Sequence, residues 1–184
     1  MAQQIYKSSY MTNRDARPQI PNDPRSVGRL IQKRALVTAV ASDSATSQYG
    51  FFDVRSDAVI EQCALTFASL AGSSAMDLGF WESVQYQYGA DFSATTGWST
   101  TAGGYANAGQ YFGAAIALAS TATKQSQLIQ SSWTTIAKMM QPLWQILGFA
   151  TDPGRMFDLV GTVTTAINTG GAIVVELTYR TAQS

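Results

Sequence analysis

Apolar and polar positions alternate with period two through most of the chain beyond residue 34, a pattern that predicts β-strands. The runs ALVTAVA (35–41), YGFFDVR (49–55) and AVIEQCALTFAS (58–69) are rich in β-branched and aromatic residues, with short polar breaks between them. Strands spaced this closely are expected to be antiparallel neighbours. In the third, Val59, Cys63, Leu65 and Phe67 share one side, with Glu61 as the exception. AMDLGFWES sets Met76, Leu78 and Phe80 against Asp77, Gly79 and Trp81. YFGAAIALAS (111–120) puts Phe112, Ala114, Ile116 and Leu118 on one side.

The C-terminal third repeats the pattern more cleanly. Phe157, Leu159, Gly161, Val163, Thr165 and Ile167 alternate with Asp158, Val160, Thr162, Thr164 and Ala166. After NTGG, Ile173, Val175, Leu177 and Tyr179 oppose Val174, Glu176, Thr178 and Arg180. This reads as a terminal hairpin whose apolar face covers a core. A last strand this apolar would invite edge pairing if bare, so it is expected inside a sheet or covered by a neighbour. One short helix is expected near 142–148, where Pro142 helps to open it and Gly148 closes it, followed by a TDPGR turn.

Two stretches break the period. Residues 84–110 are dominated by Gly, Ser, Thr, Ala and Tyr, and a loop this long in a compact domain is usually functional or disordered. Tyr86, Tyr88, Trp98 and Tyr105 are its candidate contact residues. It reads either as an elaborated loop packing on its own aromatics, as a partner-facing loop, or as a small-ligand site. Residues 1–34 contain Pro18, Pro21 and Pro24 and few apolar positions, which favours extended backbone. Such an arm is expected to be ordered only against the protein's own body or a neighbouring molecule. The chain therefore divides into an extended basic arm, 1–34, and a β body, 35–184.

Composition sharpens this division. The 184 residues suit one domain, and only 13% are charged against a usual figure of about 25%. The formal net charge is zero. The first 34 residues nevertheless hold seven Lys or Arg against two Asp, while the remainder holds five against ten Asp or Glu. Arg14, Arg17, Arg25, Arg29, Lys33 and Arg34 thus make a basic arm on an acidic body. Binding of that arm to an acidic protein surface is the preferred reading, ahead of a merely solvated arm and of contact with nucleic acid.

Catalytic templates fail in turn. With no histidine and one cysteine, triads, thiolate or imidazole metal clusters and internal disulfides have no residues to build them. Cys63 reads as a small buried core residue. Carboxylates such as Asp53, Asp57, Glu61, Asp77 and Asp158 sit singly, and each is read as a solvated strand or turn residue. The glycines of GWSTTAGGYANAGQYFG have no accompanying lysine or strand-to-helix context, so phosphate cradling fits poorly. No apolar signal region or run of membrane-spanning length occurs, and a soluble protein without a standard export signal is expected.

The stretch PLWQILGFATDPGRMFDLVGTVTTAINTGGAIVVELTY resembles the end of a group of small structural proteins of tailed-bacteriophage heads. Trp144, Leu147, Gly148, Asp152, Pro153, Phe157 and Asp158 match in order, with Phe157 in place of the group's usual Tyr. AVIEQCALTFASLAGSSAMDLGFWE is similar to an upstream feature of the same group, matching at Asp77, Leu78, Gly79 and Phe80. The resemblance implies a mainly β protein, a jelly-roll-like antiparallel β-sandwich with one short helix, that binds the outside of an icosahedral capsid as a cement or decoration protein. It implies the major capsid protein as partner, self-association on the shell, and residence in the virion after synthesis in the host cytoplasm. No enzyme activity, cofactor, metal, small-molecule substrate or membrane is implied. Arg14, Arg17, Pro18, Pro21, Arg25, Arg29, Lys33 and Arg34 are then the expected subunit-contacting residues of the arm, which is longer than the group's pattern. A neck or tail component, or a host-surface carbohydrate-binding module using the 84–110 loop, are the alternatives.

Overall fold

The period-two faces build two stacked sheets in a computed structural model that describes residues 5–8, 30–83, 110–126 and 141–181. Sheet A comprises β1 (Ile5–Lys7), β3 (Gln48–Arg55), β5 (Ala75–Glu82), β6 (Gly113–Ala117) and β8 (Met156–Thr165), in the order β1-β3-β8-β5-β6. Sheet B comprises β2 (Leu30–Ala39), β4 (Ala58–Phe67), β7 (Ala122–Ser126) and β9 (Gly171–Thr181), in the order β2-β9-β4-β7. Every ladder is antiparallel except that of β1, which runs parallel to β3. The one helix among the described residues, α1 (Leu143–Ile146), follows Pro142. Gly148 ends it at φ +88°, and the Phe149 N–H bonds back to the Trp144 carbonyl. The protein is thus mainly β, a sandwich of two antiparallel-rich sheets with one short helix.

The core fills the space between the sheets with the residues that the alternation singled out. Phe157, Leu159, Val163 and Ile167 meet Ile173, Val175, Leu177 and Tyr179 across it. Each fully buried side chain of this size contributes about 1.5 to 3 kcal/mol relative to exposure. Cys63 is fully buried, and burial pushes its thiol pKa far up. Glu61 has a local cause: the register of β4 against β9 slips between Ile60 and Gln62. Ala58 and Ile60 face the core before this bulge and Cys63, Leu65 and Phe67 after it. Val59, expected beside Cys63, therefore lies outside that core cluster. In β6, Ala114 is exposed although Phe112, Ile116 and Leu118 are buried, because Ala115 takes φ +48° and breaks the alternation.

Two expectations of pairing are overturned. β8 and β9 do not form a hairpin: β8 lies between β3 and β5 in sheet A, and β9 between β2 and β4 in sheet B. The connecting residues bond outward instead of across a turn. Ile167 exchanges backbone hydrogen bonds with the 42–43 connection, its N–H to the Asp43 carbonyl at 3.0 Å and its carbonyl to the Ser42 N–H at 2.9 Å. Thr169 N–H bonds to the Leu70 carbonyl. Ile167, 1% exposed, is thereby drawn between the layers and the chain changes sheet. For the same reason β2, β3 and β4 are not neighbours in one sheet, since β3 belongs to sheet A. The interior position expected for the last strand is observed.

Asp43, 2% exposed, anchors this end of the sandwich. Its carboxylate accepts the Tyr6 hydroxyl at 2.9 Å, the Tyr49 hydroxyl at 2.7 Å and the Val40 N–H at 3.0 Å. Tyr6 and Tyr49 stack with centroids 5.6 Å apart. One carboxylate therefore ties β1, β3 and the connection from β2. Asp43→Ala would leave three donors without their acceptor and is expected to cost about 2 to 4 kcal/mol, read from denaturant midpoints. Asp43→Asn, which keeps one acceptor oxygen, is expected to cost less.

A second expectation concerns alkaline pH. Burial, then the hydrogen bond to Asp43, raise the pKa of Tyr6 and Tyr49 above the ordinary 10.0, and burial with the nearby Cys63 raises Tyr111 to about 12. The unfolded chain then loses its phenolic protons first, so the stability from these groups is intact below pH 10 and falls as pH rises above it. In an ultraviolet titration these phenols are expected to ionise later than ordinary ones, above pH 10, with Tyr111 at about 12. Ionisation of all eight tyrosines near pH 10 with the fold intact would contradict this.

Candidate interaction surface

Within β2 the odd positions face the core and the even positions face out. Ile31, Lys33, Ala35, Val37 and Ala39 point inward, so the pattern places one cation in an apolar row. The edge position of β2 makes this tolerable. The Lys33 ammonium lies 5.9 Å from the centroid of the Tyr179 ring and reaches the other sheet, 3.2 Å from the Asp53 carbonyl and 3.5 Å from its carboxylate. An inward charge on an edge strand also discourages pairing with another chain. Arg34 points the other way. It is 68% exposed and meets Glu176 at 3.3 Å on the outer face of sheet B, a solvated pair worth about 0 to 1 kcal/mol.

Lys33 and Arg34, expected on the arm, therefore belong to β2, which begins at Leu30. At the other end, Ile5–Lys7 is already a strand of sheet A. Arg14, Arg17, Pro18, Pro21, Arg25 and Arg29 lie outside the described residues, as do Tyr86, Tyr88, Trp98 and Tyr105. Of the candidate residues, the structure brings Lys33 to Asp53 and Arg34 to Glu176.

The outer faces of the two sheets differ. That of sheet B carries ion pairs, Arg34 with Glu176 and Arg180 with Glu61 at 2.8 Å, and beside them exposed Leu30, Leu36 and Val40. That of sheet A has three rows in register across β3, β8 and β5: Gln48–Thr162–Asp77, Gly50–Val160–Gly79 and Asp53–Asp158–Trp81. Asp158 and Val160 are fully buried there, Gln48 is 4% exposed and Asp53 is 5% exposed. The expectation of solvated acids thus fails at Asp53 and Asp158. It also fails at Glu82, 8% exposed, which Arg155 holds in an ion pair.

Period two alone could not reveal this, because an Asp following a core-facing Phe points away from the core and normally meets water. The available signal was the near-continuous apolar context of GFFDV and FDLVG, which suits strands buried on both faces. Asp77 braces the sheet: it accepts the Gln110 side-chain amide at 2.9 Å and the Ala115 N–H at 2.7 Å, holding the irregular β6 against β5.

No protein-family model and no curated protein matches this sequence. Its fold is similar to that of a chain in the solved capsid of Ralstonia phage GP4, with a TM-score of 0.60 and 13% identity over 98% of this chain and 99% of that one. A chain in the capsid asymmetric unit of cyanophage Pam1 aligns with a TM-score of 0.49 and 11% identity over 91% and 97%. At these identities the GP4 alignment shows that the sandwich, from end to end, is a fold also used by a chain of that capsid.

Proposed function

We propose that this chain is a structural protein of a bacteriophage head that binds the outer surface of the icosahedral capsid and stabilises it as a cement or decoration protein. The observation that carries this reading is the full-length likeness to a chain of the Ralstonia phage GP4 capsid, with neither chain extending far beyond the other. The partners are the major capsid protein and further copies of the chain on the shell. The basic residues ahead of β2, Arg14, Arg17, Arg25 and Arg29, contact neighbouring subunits, and copy number adds avidity. Leu30, Leu36 and Val40, exposed on and just after β2, are apolar contacts suited to the same interface.

Addition of the purified protein to bare capsids tests this. Saturable binding and a higher disruption temperature are expected, and folded protein that leaves shells bare would overturn the reading. The basic segment is tested by replacing residues 9–28 with a Gly/Ser linker of equal length, which spares β1 and β2. Affinity for the shell is expected to fall at least tenfold. Undiminished occupancy would remove the segment from the interface and leave the rest of the proposal standing.

A further inference from the structure

We propose that the edge of β3 over residues 48–51 is an exchangeable strand-docking slot, and that its second occupant is the strand at residues 5–8 of another copy of this chain. The inference concerns two copies in solution and does not rest on the capsid reading. It starts from how lightly β1 is held. β1 is a parallel edge strand of sheet A, pairing Ile5 with Gln48, Tyr6 with Tyr49 and Lys7 with Gly50. All three residues are only half-buried. One short ladder holds β1, whereas β8 and β9 are each held by a ladder on both sides, and parallel pairing is slightly the weaker kind.

The slot selects this strand by its chemistry. The Tyr6 hydroxyl donates to Asp43 at 2.9 Å and its ring stacks on Tyr49, while Ser8 donates its N–H to the Gly50 carbonyl at 2.8 Å and its hydroxyl to the Phe51 carbonyl. An occupant must therefore bring an aromatic hydroxyl two positions ahead of a small hydroxyl residue, as IYKS does. The slot also outlasts its occupant. Without Tyr6, Asp43 still accepts the Tyr49 hydroxyl and the Val40 N–H. What remains is an open strand edge, a template for a strand of the same sequence. The edge strand β2 of sheet B carries Lys33 in its inward row as a guard against such pairing, whereas residues 48–51 carry no charge.

Exchange gives up no contact. A strand seated on a second copy makes the same hydrogen bonds and the same ring stack as one seated on its own body, so chain entropy alone separates the two states. Residues 9–29 join Ser8 to Leu30, and a chain of that length reaches up to roughly 70 Å when fully extended. Such a tether holds β1 near its own slot at an effective concentration on the order of millimolar. Copies that meet at a similar concentration therefore compete for each other's slots, whereas dilute chains close on themselves. Copies held side by side become linked through contacts that each of them already contains.

Mixing two full-length variants, Ile5→Cys and Gln48→Cys, tests the proposal. The two positions are ladder partners within disulfide reach, and the buried Cys63 stays unreactive. With each variant at about 1 mM, near the effective concentration of the tether, oxidation is expected to give a mixed dimer whose disulfide mass spectrometry maps to residues 5 and 48. Adding Tyr6→Ala to the Ile5→Cys copy removes the hydrogen bond to Asp43 and is expected to lower the yield of mixed dimer about tenfold or more. Two outcomes would overturn the proposal: no mixed dimer while a chain carrying both cysteines closes its own disulfide, or equal yields with and without Tyr6. Should the chain with both cysteines not close, Lys7→Cys with Gly50→Cys on the same ladder decides by the same two outcomes.

Discussion

The passage of the chain from sheet A to sheet B between Thr165 and Gly171 is the constraint on which the sandwich depends. β8 stands between β3 and β5, and β9 between β2 and β4, so the two consecutive strands at the end of the sequence organise both layers. Ile167 occupies the passage as a buried plug, held by backbone bonds to residues 42 and 43. The passage from β2 to β3 runs alongside it, and Asp43 fastens the pair together through Tyr49 and Tyr6. Consequently the early strands find their partners only when residues more than a hundred positions later are in place, a topology dominated by non-local contacts and of the kind that folds slowly.

This arrangement explains which features could be read from the residues alone. Side-chain alternation reports which face of a strand is apolar, and it did so correctly for Phe157 to Val163 and Ile173 to Tyr179. It does not report which strand lies alongside. A β8–β9 hairpin and a change of sheet bury the same side chains, and only the backbone pairing of the two strands and of Ile167 distinguishes them. The β4 bulge is a milder case: Glu61 departed visibly from the pattern, but whether it was a lone exception or a shift of phase depended on the register with β9.

The acids were less legible still. A carboxylate opposite a core-facing Phe on a strand is normally solvated, and Asp53 and Asp158 each fit that rule locally. Their burial depends on what lies over the sheet, a property that strand-level alternation cannot encode. Lys33 gave a related warning, because a cation in the inward row Ile31–Ala35–Val37 needs an anion within reach. That anion proved to be Asp53, across the sandwich. A misplaced charge on an edge strand thus pointed to a paired charge on the opposite layer.

The position of β1 alters the physical meaning of the basic segment. With Ile5–Lys7 in sheet A and Leu30–Ala39 in sheet B, the strands on either side of residues 9–29 both belong to the body. A connecting segment anchored at both ends has less conformational freedom to lose on meeting a partner than a free tail has, since its closure entropy is met during folding. The tether is itself conditional, because β1 contributes only three ladder residues and relies on Tyr6 at Asp43 and Ser8 at β3. Loss of the carboxylate buried at the corner where the sheets exchange the chain therefore loosens the anchor that precedes the basic segment without touching its arginines.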